Sequence, residues 1–531
     1  MTVAGVLIAG AGPTGLTLAC DLLAGGVGVR VLDGAPGPST TSRALGLQPR
    51  GLEVLARAGA LGDLEQRSNP VRQVVVDLGG YTARLRLGQP TKLVTRPGLV
   101  VSQADVEMSL RRRLTELGGT VEWDREVREA YQDAEGLTVW LADGSTARGG
   151  WLVGCDGARS RVRKLAGIDF PGVQIIERFL LADVHADLPV ARDTVRVWLR
   201  GDQMLAAFPL PGADLWRLMA PAPDDTTAEL DAPAVLDVLT RQLLERTGWP
   251  ASAVGAAEWT STFRIHRRLA QRFRHGRILL AGDAAHIHSP LGGQGMNTGV
   301  GDAENLAWKL ALVASGRAAP ALLDSYEAER RPIAADVLDS TSAMTRTVVG
   351  NSRIARLLRD RVFVPMLNRP AVQRRIWEQA SQLKVHYRTG PLANKAGVSF
   401  LPGPRAGDRV PDLACRRPDG SPTRLHAELG PRWGLLVPPP TPRTVQATSA
   451  CIDTTRRRLG ADAVTVLTPT DTGTSHVLLV RPDAHAGWRG RPSPDALEAW
   501  LTSVLDLGRA ATSGRALRHH ERAPRDAAAR P

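Results

Sequence analysis

Val3 to Ala9, an apolar run, followed by Gly10-Ala11-Gly12-Pro13-Thr14-Gly15, decides how this 531-residue chain is read. Leu16, Ala19, Leu22 and Leu23 come next at helical spacing, Gly25-Gly26 ends that helix, and Val29 to Leu32 is a second apolar strand closing on Asp33. The result is a βαβ unit. Gly10 suits the tight strand-to-helix turn, Gly12 lets a pyrophosphate approach the backbone, and Gly15 allows close packing of strand and helix. The N-terminus of the helix supplies N–H groups and a positive dipole end for phosphate. Asp33, about 18 residues beyond Gly15, stands where a carboxylate accepts from ribose hydroxyls. The unit predicts dinucleotide binding without choosing between flavin and nicotinamide.

Two further motifs make that choice. Cys155-Asp156-Gly157-Ala158-Arg159-Ser160 follows the apolar stretch Trp151 to Val153. Gly282-Asp283-Ala284-Ala285-His286 follows Ile278 to Ala281 and leads into Pro290-Leu291-Gly292-Gly293-Gln294-Gly295-Met296-Asn297. In this order and at these separations, over roughly residues 3 to 390, the three motifs resemble the class A flavoprotein monooxygenases, the para-hydroxybenzoate hydroxylase-like group.

The resemblance implies a site. Gly10, Gly12, Pro13, Gly15 and Asp33 would hold the ADP part of FAD, and Asp283, after Gly282, a ribityl hydroxyl. Asp156 and Gly157 would serve FAD and the pyridine nucleotide alike, so no separate NAD(P)H fold is expected. Gly293, Gly295, Met296 and Asn297 would present backbone N–H groups to the N1–C2=O edge of reduced flavin, on a helix expected from about Asn297 and supported by Val300, Ala303, Leu306, Ala307 and Leu310. Arg43 resembles the arginine beside the FAD phosphates, Gln103 (with Glu107 and Leu110) the glutamine of a cofactor-facing helix, and Val127 a residue offering backbone groups to adenine. Relatives more often carry Glu where this chain has Asp33.

The substrate side is thinner. Phe208 and Trp216 are expected to line an apolar pocket, and Pro290 to meet the flavin–substrate boundary through its backbone. His286 and His288 read as loop hydrogen-bonders, and no general base or metal ligand set stands out. Ser381-Gln382-Leu383-Lys384-Val385-His386-Tyr387 resembles the joining segment of hydroxylases that tailor aromatic polyketides, which carry a thioredoxin-like third domain. Leu323 to Pro332 matches the helix after the flavin domain.

The expected fold is α/β: a Rossmann-like FAD-binding domain (1–72, 101–175 and 275–395), an inserted mixed-sheet substrate domain (73–100 and 176–274) and a thioredoxin-like C-terminal domain lacking CxxC (403–510). Residues 513–531, basic and Ala-rich without period, read as a disordered tail. Short alternating segments between Val74 and Thr95 and from Val195 to Met219 read as strands, Ser102 to Leu117 as a helix, and the long helical region to about Lys384 as broken at Pro332 and Pro365.

Bulk properties narrow the class. Hydrophobic residues make up 43% and charged residues 23%, ordinary for globular domains. The net charge of +13 comes from 67 basic and 54 acidic residues strewn together, without the compact basic block of a nucleic-acid binder. Four scattered cysteines argue against zinc or a disulfide scaffold. Apolar runs are too short for a membrane span, and the opening residues lack a signal pattern, so a cytoplasmic monomer or homodimer is expected. What the resemblance implies is a monooxygenase using FAD, NADPH or NADH (NADPH favoured) and O2 to hydroxylate a polycyclic aromatic substrate through a C4a-hydroperoxyflavin. Baeyer–Villiger insertion or oxidative inactivation of an aromatic antibiotic needs the same motifs, as does a remote alternative, an FAD-binding protein without turnover.

Overall fold

The opening run folds as β1 (Ala4–Ala9), α1 (Pro13–Ala24) and β2 (Val29–Leu32). The structure is a computed structural model that describes residues 4–507 apart from 41–43, 79–80, 88–89, 92, 201–202, 224–229, 289–292, 350–356, 358–360, 363, 394–402 and 471–474. Arg43, Pro290 and the expected tail 513–531 lie outside the described residues.

β1 sits between β2 and the strand Thr146–Gly154, parallel to both, and Ile278–Leu280 continues the parallel set beyond Thr146–Gly154. Leu7, Ile8, Leu152, Val153, Leu279 and Leu280 are wholly buried, as continuous apolar strands in a sheet covered on both faces must be. Around this sheet lie α2 (Pro49–Arg57) and α3 (Gln103–Glu116), whose first turn is capped by Ser102 Oγ accepting from Ala104 N–H at 3.1 Å. A five-residue helix α4 (Arg161–Leu165) follows the second motif.

A second, eight-stranded sheet is built mainly from Gly172–Ala186, Thr194–Arg200, Gln203–Pro209, Leu215–Pro221 and Val254–Leu269, with Gln73–Asp77 and Thr82–Arg86 at one edge. Its other edge is His286–Ile287, so this sheet hydrogen-bonds directly to the third motif. Strand alternation divides the sheet's side chains. Leu180, Ala182, Leu205, Ala207, Trp216 and Leu218 pack against Val235, Leu239 and Leu243 of α5 (Ala232–Thr247). Phe179, Leu181, Leu199, Met204, Ala206 and Met219 occupy the opposite face.

α6 (Gly295–Ala314) begins two residues before the expected start and is buried along almost its whole length. α7 (Asp324–Val349) runs uninterrupted through Pro332, against the expected break. Pro332 and Ala328, the residue whose carbonyl loses its partner, are both exposed, so water can satisfy that carbonyl. Buried Arg330, Ala334, Val337 and Leu338 hold the other side of the helix in place.

The last unit is a six-stranded sheet with Trp433–Leu436 parallel to Val464–Pro469 and antiparallel to Val477–Val480, covered by helices Val445–Leu459 and Pro494–Leu505. It is thioredoxin-like without a CxxC: Cys415 lies on a strand and Cys451 on a helix. It meets α2, α6 and α7 through buried charge. Arg50, which with Arg57 pairs with Glu304 of α6, donates to Asp483 O at 2.9 Å, Arg409 pairs with Glu53, and Arg481 bonds Glu329 at 2.7 and 2.9 Å. Lys309 reaches the same Glu329 at 2.8 Å, and Asp483 accepts from Arg481, Asn305 and Trp308. Beside this network a cavity of about 300 Å³ is lined by Asp21, Gly26, Trp308 and Trp433 among others.

Candidate functional site

Because Ala9 lies beside Gly154 and Gly154 beside Leu280 in parallel register, the loops leaving these strands emerge together at the carboxyl edge of the sheet, the place where open α/β sheets bind ligands. Gly10 adopts φ +106°, and a Cβ there would strike the Cys155 carbonyl; a Cβ on Gly15 would strike the carbonyl of Gly10. The fold itself demands those two glycines. Gly12 differs. Its φ of −74° suits any residue, and a Cβ there would meet nothing within 4 Å. The open space lies before the start of α1, where no side chain caps the helix and Pro13 occupies its first turn. That is a cradle for pyrophosphate.

Asp33 is built into the cradle's wall. Its Oδ2 accepts from Ala11 N–H at 2.6 Å and its Oδ1 from Ala35 N–H at 2.8 Å. Each oxygen keeps a second lone pair for a ribose hydroxyl. Gln103 Nε2 donates to Glu107 Oε1 at 2.8 Å; burial, reinforced by the nearby Asp33 charge, holds the Glu107 carboxyl above its usual range. Val127 is buried, and the backbone just before it, Arg125 N–H, bonds Asp33 O at 2.7 Å. Asp33, Gln103 and Val127 therefore share one neighbourhood.

The second motif uses its acid internally. Asp156 Oδ1 accepts from Ser160 Oγ at 2.5 Å, and Oδ2 accepts from the N–H groups of Arg161 and Val162 at 2.7 and 3.0 Å. The Asp156 carboxylate thus caps α4 and braces its own turn, and Gly157, at φ +74°, shapes that turn. Sequence reasoning missed Arg163. Its guanidinium donates to Ala158 O at 3.1 Å and Ala284 O at 2.8 Å, so it ties the second motif to the third.

Asp283 has the opposite character. Its side chain is exposed within the cleft and makes no hydrogen bond to any described residue. Burial of the site, with Asp302 nearby, pushes its carboxyl above the usual range, and His286 opposes the shift. Across the cleft α6 starts at Gly295 with Gln294 giving no side-chain cap, and the N–H groups of Gly295, Met296 and Asn297 find no acceptor among the described residues. An uncapped helix end beside a carboxylate without protein partner has unmet donors and an unmet acceptor, and a flavin supplies the complement of both.

Asn297 contributes backbone here, as expected of the loop, while its side chain braces the fold. Oδ1 accepts from Gln48 N–H at 2.8 Å, and Nδ2 donates to Gly46 O and Gly293 O at 3.1 and 2.8 Å. His286 is buried with Nε2 2.7 Å from Asp302 Oδ2, a loop hydrogen-bonder as expected. Trp216 is corrected too: it is buried in the α5-facing core beneath Arg192, away from the face that carries Phe208. Phe208 stays half-buried beside Trp259 and Phe263, and Arg217 forms a two-pronged bond to Asp183 on that same face, at 2.6 and 2.8 Å. Asp302 and Arg330 were also missed. A charged residue inside the apolar run of α6 was the available signal.

The open space before α1, the Asp283 carboxylate and the uncapped start of α6 are features that an FAD-dependent monooxygenase can use, and likeness to known proteins places the chain in that class. Residues 3–341 match the family described as FAD binding domain, and residues 403–508 match the aromatic-ring hydroxylase C-terminal family. The chain belongs to the FAD-dependent aromatic-ring hydroxylases. It is 35% identical over 509 residues to a rifampicin monooxygenase of Streptomyces venezuelae, covering 93% of this chain and 98% of that one. With the 12-dehydrotetracycline 5-monooxygenase/anhydrotetracycline 6-monooxygenase of Streptomyces rimosus it shares 36% over 530 residues, again 93% and 98% of the two chains. The solved structure of OxyS anhydrotetracycline hydroxylase from Streptomyces rimosus superposes with a TM-score of 0.76 at 32% identity, over 95% of this chain and 99% of that one.

Proposed function

We propose that this protein hydroxylates a polycyclic aromatic, polyketide-type compound. The observation that carries the reading is the near full-length likeness to enzymes named for tetracycline and rifampicin substrates, third domain included. When bound, FAD supplies the two-electron chemistry with NAD(P)H and the activation of O2. The residues of the chain do the rest. Gly12 and the start of α1 seat the pyrophosphate, Asp33 the adenosine ribose and Asp283 a ribityl hydroxyl. The N–H groups of Gly295, Met296 and Asn297 stabilise negative charge at the flavin ring edge, in a site where burial strengthens each interaction. Phe208, Trp259 and Phe263, half-buried on the sheet face opposite α5, supply the apolar aromatic surface that suits a fused ring.

The domain division at 1–72, 101–175 and 275–395; 73–100 and 176–274; and 403–510 belongs to the same proposal, as do a cytoplasmic location, preference for NADPH, and a monomer or homodimer. Among the described residues no helix is long and apolar enough to cross a membrane. Purified protein is expected to be yellow, and polycyclic phenols and quinones are to be screened for stimulated NADPH oxidation with uptake of one 18O atom into product. A colourless chain that cannot be reconstituted sinks the proposal. The rifampicin monooxygenase likeness favours one second reading, oxidative inactivation of an aromatic antibiotic. Mass and NMR of the product separate ring hydroxylation from Baeyer–Villiger lactone formation.

A further inference from the structure

One buried ion pair touches both elements that face the flavin. Asp302, on α6 and wholly buried, accepts through Oδ2 from Gly282 N–H at 3.1 Å, one residue before Asp283, and lies 2.7 Å from His286 Nε2 at the far end of that loop. Its Oδ1 accepts from Arg330 Nε at 2.7 Å. Arg330 Nη2 donates in turn to Thr298 O, in the first turns of α6, at 3.0 Å. The last guanidinium nitrogen, Nη1, donates to Tyr387 Oη at 3.1 Å. Tyr387 is itself held by the C-terminal unit: its N–H bonds Gly407 O at 2.7 Å, its ring lies 4.2 Å from the His485 ring, and Arg481 sits 5.1 Å over it.

We propose that Asp302 and Arg330 are positioning residues that set the Asp283 loop and the α6 N-terminus relative to each other, and that Tyr387 makes this setting depend on the docked C-terminal domain. The Asp283 side chain makes no hydrogen bond to the described residues, and the backbone on either side of it is held by Asp302 and Arg163. The first turn of α6 has no side-chain cap, so its aim follows Thr298 and Asn297. Each hydrogen bond in the relay has a charged partner and is buried, the class whose loss costs most. Asp302 and Arg330 thus fix two halves of one cofactor site at once. The inference rests on the FAD reading above.

The test uses the full chain with Tyr387→Phe and Asp302→Asn, and Arg409→Gln as a control that breaks the separate Arg409–Glu53 contact between the same units. Four quantities are read: FAD dissociation constant, midpoint potential of the bound flavin, thermal midpoint of the apoprotein, and amide exchange at Gly282 in the apoprotein. Tyr387→Phe is expected to weaken FAD binding about tenfold, the worth of one charge-assisted hydrogen bond, to make the bound flavin harder to reduce, and to speed exchange at Gly282. Asp302→Asn should weaken FAD binding at least as much. Arg409→Gln should lower the thermal midpoint and leave the FAD constant within twofold of wild type. If Asp302→Asn does not fold, Tyr387→Phe decides alone. Wild-type FAD affinity, potential and Gly282 exchange in Tyr387→Phe overturn the proposal whatever its stability. A wild-type chain that takes up no FAD overturns the functional reading instead, so the two failures are distinct.

Discussion

Gly12 and Asp283 separate what the fold needs from what the cofactor needs. A Cβ at position 12 meets only open space, so Gly12→Ala should leave the thermal midpoint of the apoprotein unchanged while sharply lowering FAD retention after gel filtration. Loss of folding in that variant would place the residue with Gly10 and Gly15 instead. Asp283→Ala removes a carboxylate that no donor among the described residues satisfies, and severe loss of bound flavin is expected; unchanged flavin content would refute its role. These residues were legible because each does its work locally: a steric requirement at a turn, or an acid at the end of a strand. Where the side chains of Asp156 and Asn297 go was not legible: one caps α4, the other braces Gln48, Gly46 and Gly293. Which donor a carboxylate or amide meets depends on how loops pack, and spacing along the chain does not encode that.

At the scale of elements, α6 and α1 carry the consequences. Asn297→Ala removes the acceptor of the half-buried Gln48 N–H and the donor to the Gly46 and Gly293 carbonyls, a loss of about 1–3 kcal/mol measurable as a lower urea midpoint, with weaker flavin binding as the α6 N-terminus shifts. Asp21 sits in the last turn of α1, the negative end of the helix. Burial, with Glu304 nearby, pushes its carboxyl from 3.8 up to about 8. The folded chain then keeps a proton that the unfolded chain gives up, so this contribution to stability is complete below pH 4 and is lost as pH rises toward 8. Asp21→Asn should therefore melt higher than wild type at pH 8, with the gap shrinking toward pH 5; a gap that is independent of pH would contradict the assignment. Helix existence was readable from periodicity at α1, α3 and α6. The continuity of α7 through Pro332 was not, because it depends on that face being exposed.

At the scale of the molecule, the three motifs announced one parallel sheet, since each must follow a strand. The charge that joins the C-terminal unit to that domain was silent in the sequence. Arg50, the pair Glu304 and Glu329, and the pair Arg481 and Asp483 come from three distant parts of the chain, and each residue alone reads as an ordinary surface residue. Together they are buried. Arg481→Met would leave the Asp483 and Glu329 carboxylates short of their main counter-charge, and a loss of about 3–5 kcal/mol is expected, read as a fall in chemical denaturation midpoint; a change under about 1 kcal/mol would show that the pair merely breaks even.

That buried set of charges also bears on how such enzymes can be recombined. A chimera that exchanges the C-terminal sheet between relatives inherits Arg409, Arg481, Asp483 and His485 from one parent and Arg50, Glu53 and Glu329 from the other. Parents with matching charge patterns should yield yellow, soluble hybrids; mismatched parents would seal a lone ion inside the seam. What is exchangeable in this architecture is the complete ionic set on both sides of the seam, and a cut made at the linker alone divides it.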